Sequence, residues 1–184
     1  VCGNGGSAAD AQHFVAEFVG RFKDEGRPAL PAIALTADSA VLTAWSNDVD
    51  YDSVFAREVE ALGRRGDVLV GISTSDRSAN VVRAFRIARQ LGLRRLALTG
   101  GDGGELRELA DVTRLAPSTD TQRVQEVQTL VLHLLCELVE SLLLRGTALG
   151  ALERGRFPQP SRWRRGASGP PPEPHQAYSR RPEG

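Results

Sequence analysis

Short apolar runs alternate along this chain with segments whose apolar positions recur every three to four residues. Val1-Cys2 reads as the end of a strand, and Ala32-Ile33-Ala34-Leu35 as a short buried one. Val68-Leu69-Val70-Gly71-Ile72, Leu96-Ala97-Leu98-Thr99 and Val112 to Leu115 give three more. The intervening segments read as helices with recognisable ends. Ser7 is a plausible cap for a helix to about Val19. Asp38 caps another through Trp45, which Ser46-Asn47-Asp48 breaks. A helix starting at Asp52 or Ser53 carries Phe55, Val59 and Leu62 on one face, with Gly63 just past its end. Ser78 caps a helix bearing Val82, Ala84, Phe85 and Ala88, which Gly92 ends. After the Gly100–Gly104 turn comes a helix to about Ala110, and a long one from about Thr121 to Leu144 closes the series.

Apolar strands alternating with helices predict an α/β fold, a parallel five-stranded sheet with helices on both faces. In such sheets ligands bind beyond the carboxyl ends of the strands. Gly3 to Ser7, Ser46-Asn47-Asp48, Ser73-Thr74-Ser75 and Ser118-Thr119 each follow a strand or a strand–helix unit, so they are expected to line one rim.

Composition changes this picture at the end of the chain. Lysine plus arginine and aspartate plus glutamate number 23 each, but Arg154 to Gly184 holds seven arginines against Glu173 and Glu183. The remaining body is mildly acidic, which argues against a nucleic-acid-binding core. Seven of the ten prolines also fall in that stretch. Residues 151–184 therefore read as a disordered Pro/Arg-rich tail, and 1–150 as one domain. The absence of methionine and the start at Val1-Cys2 suggest that an N-terminal segment precedes this strand stub. Two cysteines, Cys2 and Cys136, in apolar surroundings suggest reduced thiols and a cytoplasmic protein. The apolar stretch Leu130 to Leu135 is interrupted by His133 and followed by Glu137 and Glu140, a buried helix rather than a membrane span.

The candidate chemistry has a plain reading beside each specific one. Gly3-Asn4-Gly5-Gly6-Ser7 is either a tight turn or a phosphate loop, with Ala8 where a dinucleotide fingerprint has its third glycine. Ser73-Thr74-Ser75-Asp76-Arg77-Ser78 offers hydroxyls and free helix N–H groups to a phosphate monoester. His13 and Glu17, one turn apart, are expected to point into the space the glycine loop opens, where they suit metal ligation or proton transfer. They could equally be a solvated pair. His133 among leucines reads, taken alone, as a core histidine. Gln125 lies eight residues before it, roughly 12 Å along the helix axis and about 80° around it. Spacing alone does not make these a metal site.

Taken in order, Gly3 to Phe14, Ser46-Asn47-Asp48, Gly71 to Ser75, and Arg123-Val124-Gln125-Glu126 with His133 resemble the sugar isomerase (SIS) domain. Within that superfamily the series is similar to the phosphoheptose isomerases, over about residues 1–145. The resemblance implies an SIS-domain three-layer sandwich of flavodoxin-like type. It also implies a homotetramer with interfacial active sites, a sugar-phosphate substrate, and one zinc ion per subunit. Its metal ligands fall on His13, Glu17, Gln125 and His133. Its catalytic base falls on Glu17 and its acid on His133. Its substrate contacts fall on Asn4, Gly5, Gly6, Ser7, Glu17, Asn47, Asp48, Ser73, Thr74, Ser75, Ser78 and Gln125. The implied reaction converts D-sedoheptulose 7-phosphate to D-glycero-D-manno-heptose 7-phosphate through an enediol. Three features depart from the family pattern: Asp76-Arg77 in place of Gly-Asn, Gln122 in place of an acidic residue, and the missing N-terminal helix. Pro31–Leu35 and Val41–Ala44 are similar to a non-catalytic SIS protein that binds the bacterial replication initiator. That branch typically lacks the catalytic Glu and His which this chain has.

Overall fold

The computed structural model describes residues 1–75 and 77–153, with side chains as far as Leu143. Asp76 and the tail from Arg154 onward, expected to be disordered, lie outside the described residues. The chain runs β1 (Cys2–Gly3), α1 (Gly6–Val19), α2 (Ser39–Asp48), α3 (Val54–Leu62) and β2 (Val68–Ile72). It continues through α4 (Ala79–Leu91), β3 (Arg94–Gly100), α5 (Gly104–Leu109), β4 (Val112–Ala116) and α6 (Thr121–Glu153). The strands form one parallel sheet in the order β1-β2-β3-β4. Cys2 pairs with Gly71, Val68 with Arg94 and Leu96 with Val112.

Strand side chains alternate between faces, and the two resulting cores show it. Leu69, Ala97 and Cys2 pack with Phe55, Val59, Val81, Phe85 and Leu106 from α3, α4 and α5. Val70, Ile72 and Leu98 pack on the other face with Ala11 and Phe14 of α1 and with Leu132 and Cys136 of α6. The three-layer α/β sandwich is as expected. The two cysteines are free and buried in opposite layers. No helix among the described residues is long and apolar enough to cross a membrane.

Three expectations change. The sheet has four strands among the described residues rather than five, because Ala32 to Leu35 forms no regular strand. That segment touches β1 through two bonds only: the Val1 nitrogen donates to Ile33 O at 2.7 Å, and Leu35 N–H donates to Val1 O at 2.9 Å. Pro31 has no N–H with which to lengthen that pairing, and Ile33 is exposed. Ser46-Asn47-Asp48 does not break α2 but forms its last turn, which closes when Val49 N–H donates to Trp45 O. The next helix starts as expected, with Ser53 at the cap position of α3; just before it, Asp50 accepts from Ser53 N–H at 2.6 Å and closes a 3-10 turn at Tyr51–Ser53. Leu62 is exposed, so the inner face of α3 is Phe55, Ala56, Glu58 and Val59.

Asp38 caps α2 as expected, accepting from Ala40 and Val41 N–H at 3.0 and 3.1 Å. Ser7, by contrast, lies inside the first turn of α1 and is buried; Gly5 holds the cap position.

Candidate active site

Because the strands are parallel, β1, β2, β3 and β4 all end on one rim, and α1, α4, α5 and α6 all begin there. Close approach holds the rim together. A side-chain carbon at Gly100 would meet Val124 Cγ2 at 2.8 Å, Thr74 O at 2.9 Å and Ser118 O at 3.2 Å, so only glycine lets those loops meet. In the serine loop, Ser73 Oγ lies 3.0 Å from Ser78 Oγ and also donates to Ser75 O. Ser73 N–H donates to Leu98 O at 2.9 Å. The amide of Gln128 fixes this loop from below, donating to Ser73 O at 2.9 Å and Leu98 O at 3.0 Å.

The glycine loop joins the same rim. Asn4 and Asn80 exchange a reciprocal pair of amide hydrogen bonds, each 2.9 Å, and Tyr51 Oη donates to Asn4 Oδ1 at 2.9 Å. A side-chain carbon at Gly6 would stand 2.3 Å from Gln125 Nε2, so Gln125 lies directly against the start of α1. Thus Asn4, Gly5, Gly6, Ser7, Ser73, Thr74, Ser75, Ser78 and Gln125 come together at the rim. Asn47 and Asp48 sit exposed on the last turn of α2 and pair with each other at 2.9 Å. No hydrogen bond among the described residues joins them to Asn4 or Ser73; Tyr51, shortly after them, makes that link instead.

His13, Glu17 and His133 form a second group. Helices α1 and α6 run parallel, and their contacts advance in step. Gly6 meets Gln125, and Thr129 Oγ1 donates to Asp10 Oδ1 at 3.3 Å. The His13 and His133 rings meet edge to face with centroids 5.1 Å apart. His13 Nε2 lies 3.2 Å from Glu17 Oε1, and Phe22 stacks on His133 at 5.8 Å. Asp10 joins this group: burial raises its carboxyl above the usual value, against the hydrogen bond from Thr129 and the charges of His13 and His133. The base and acid assigned by resemblance thus both adjoin His13. Glu17 does not, however, stand beside its own glycine loop. Gly6 and Glu17 are separated by roughly 16 Å of helix axis, because each residue adds 1.5 Å.

Two imidazoles and a carboxylate are donors of the kind zinc accepts. As the side chains stand, no group of three His, Cys, Asp or Glu among the described residues is gathered to hold a metal ion. Gln125 cannot join them within this chain, since its amide lies against Gly6, two turns up α6 from His133. The set of four does not fit one ion in this arrangement.

Sequence reasoning did not single out Tyr51, Asn80 or Gln128 at the rim, nor Asp10 and Phe22 beside the histidines. Asn80 and Gln128 carried one available signal, a carboxamide on an otherwise apolar, buried helix face. Tyr51 and Phe22 carried none, because their partners are distant in sequence.

A family model described as the SIS domain matches residues 1–100. A phosphoheptose isomerase from Aliarcobacter butzleri is 54% identical over 143 residues, covering 78% of this chain and 75% of that protein. Among solved structures, a phosphoheptose isomerase from Neisseria gonorrhoeae superposes with a TM-score of 0.71 at 48% identity. One from Francisella tularensis superposes with 0.73 at 39%. Each covers 76% of this chain and 74% of its own. Taken with the rim and the cluster of Glu17, His13 and His133, these likenesses mean that the chain belongs to the SIS domain family and, within it, to the phosphoheptose isomerases.

Proposed function

We propose that this protein interconverts D-sedoheptulose 7-phosphate and D-glycero-D-manno-heptose 7-phosphate. The observation that carries this reading is the parallel packing of α1 on α6, which stations Glu17 and His133 together in a chain 54% identical to a phosphoheptose isomerase. The hydroxyls of Ser73, Thr74, Ser75 and Ser78, with the first N–H groups of α4, receive the phosphate. Asn4 to Ser7, Asn47, Asp48 and Gln125 hold the sugar hydroxyls. Glu17 takes a proton from C1 of the ketose, leaving an enediol across C1 and C2. His133 moves the proton of the C1 hydroxyl to the C2 oxygen, and Glu17 returns its proton to C2, giving the aldose. Proton transfers of this kind contribute about 10²–10⁴-fold each.

The roughly 16 Å of helix between Gly6 and Glu17 exceeds the reach of an extended seven-carbon chain. That separation supports the interfacial site of a homotetramer, in which the rim of one copy faces the Glu17–His133 flank of another. Gln125 of a neighbouring copy then approaches the histidines, which Gln125 of the same chain does not. Leu130, Leu134, Leu138 and Leu142 form an exposed stripe on α6 that such assembly would cover. Zinc remains a proposal for that assembled site, and the cytoplasm for its compartment.

Turnover of a panel of sugar phosphates, with and without chelator, tests the reading. Glu17→Gln is expected to lose at least about 10²-fold in kcat, while calorimetry still detects sugar-phosphate binding. Unchanged turnover in that variant removes Glu17 from the mechanism. Sugar-phosphate binding with no turnover by the parent protein would favour the non-catalytic branch.

A further inference from the structure

Arg27 and Glu140 form an ion pair whose side chains are only 3% and 6% exposed, with Arg27 Nε donating to Glu140 Oε1 at 2.6 Å. A buried pair on the connector after α1 needs a reason, because removing two charges from water is costly unless further hydrogen bonds compensate. Here they do, and their destinations are informative. One terminal nitrogen of Arg27 donates to Phe18 O at 2.9 Å and Pro28 O at 3.0 Å; the other donates to Glu17 O. Carbonyls in the last turn of a helix have no intrahelical partner, so Arg27 closes the end of α1 at the residue assigned as base. Glu140 gathers the connector on its other side. It accepts from Phe22 N–H at 3.2 Å, Lys23 N–H at 3.0 Å and Asp24 N–H at 3.2 Å. Burial would raise this carboxyl, but the bonds from Arg27 and from the Lys23, Asp24 and Phe22 N–H groups outweigh it and hold it below its ordinary value. The Phe22 ring, fixed by that bond at its own nitrogen, lies stacked on His133.

We propose that Arg27 and Glu140 are positioning residues, a buried clamp that sets where Glu17 stands relative to His133; as a role in catalysis this rests on the isomerase reading above. One arm grips the backbone of Glu17, and the other reaches His133 through Phe22. Neither residue touches the substrate. The clamp acts by keeping α1 from sliding or fraying against α6, because proton transfer between fixed groups is sensitive to displacements near 1 Å.

The test uses the full chain and the substitutions Glu140→Gln and Arg27→Ala. Turnover is measured per folded protein, with the folded fraction taken from near-ultraviolet circular dichroism. Both variants are expected to lose about 10²-fold in kcat with KM changed little, and added guanidinium is expected to restore part of the kcat of Arg27→Ala. An isotope-edited NMR spectrum follows the His133 ring protons, which the stacked Phe22 shifts. Both variants are expected to move those resonances while leaving most of the spectrum in place. Full kcat per folded molecule in both variants overturns the proposal. If the parent shows no turnover on any sugar phosphate, the isomerase reading fails and the NMR result decides alone: unmoved His133 resonances in both variants also overturn the clamp.

Discussion

Glu58 is buried on α3, and its Oε2 finds no hydrogen-bond partner among the described residues. Burial, and then the negative charge of Asp38, raise its carboxyl from 4.5 to about 7, with the Val1 amino group opposing them. The folded protein thus binds this proton more tightly than the unfolded chain does. Glu58 therefore costs nothing below pH 4.5, and its stability contribution is lost as pH rises through about 7. Glu58→Gln is expected to flatten that fall and to raise stability at about pH 8 by about 1–3 kcal/mol, as read from thermal melts across pH. Glu140 has the opposite sign. Its contribution is present above the ordinary carboxylate range and disappears on acidification, so Glu140→Gln is expected to lessen the acid sensitivity of unfolding. At this scale the sequence pointed to Glu17 and His133 as candidates, because short motifs around them resemble a known family. It could not disclose Arg27 or Glu140, whose importance comes from bonds between residues far apart in the chain.

Helix ends give sharper expectations. Asp38 satisfies two of the free N–H groups at the start of α2, and Asp38→Ala is expected to cost about 1 kcal/mol by denaturant unfolding. Gly6→Ala would put a methyl group where the Gln125 amide now lies. That side chain is long enough to yield, so the expected outcome is a KM raised about tenfold, equal to about 1.4 kcal/mol, with near-normal folding. Steady-state kinetics and a melt on the same sample check both halves. Most elements were legible from apolar spacing and capping residues. Two were misread for local reasons: Pro31 limits the pairing of Ala32 to Leu35, and Ser46-Asn47-Asp48 continues a helix already well started at Asp38. Residues often found in turns do not stop a helix whose backbone bonds can still form.

For the whole molecule, the decisive relation is that Gln125 and His133 lie two turns apart along the α1–α6 contact. In the proposed tetramer a neighbouring copy brings the two together, which a single chain could not reveal. Leu134→Glu together with Leu138→Glu is expected to lower the sedimenting mass and to remove turnover together, while leaving the monomer folded. Sedimentation velocity and circular dichroism are the checks.

The pairing of Cys2 with Gly71 has a kinetic consequence as well. Strands β2, β3 and β4 join neighbours across one short helix each, whereas β1 must wait for a long excursion through α1, α2 and α3 to be gathered in. Closing the larger loop carries the greater entropic cost, so β1 is expected to dock late during refolding. Helical signal should then return before catalytic competence, because the glycine loop hangs from the strand that arrives last.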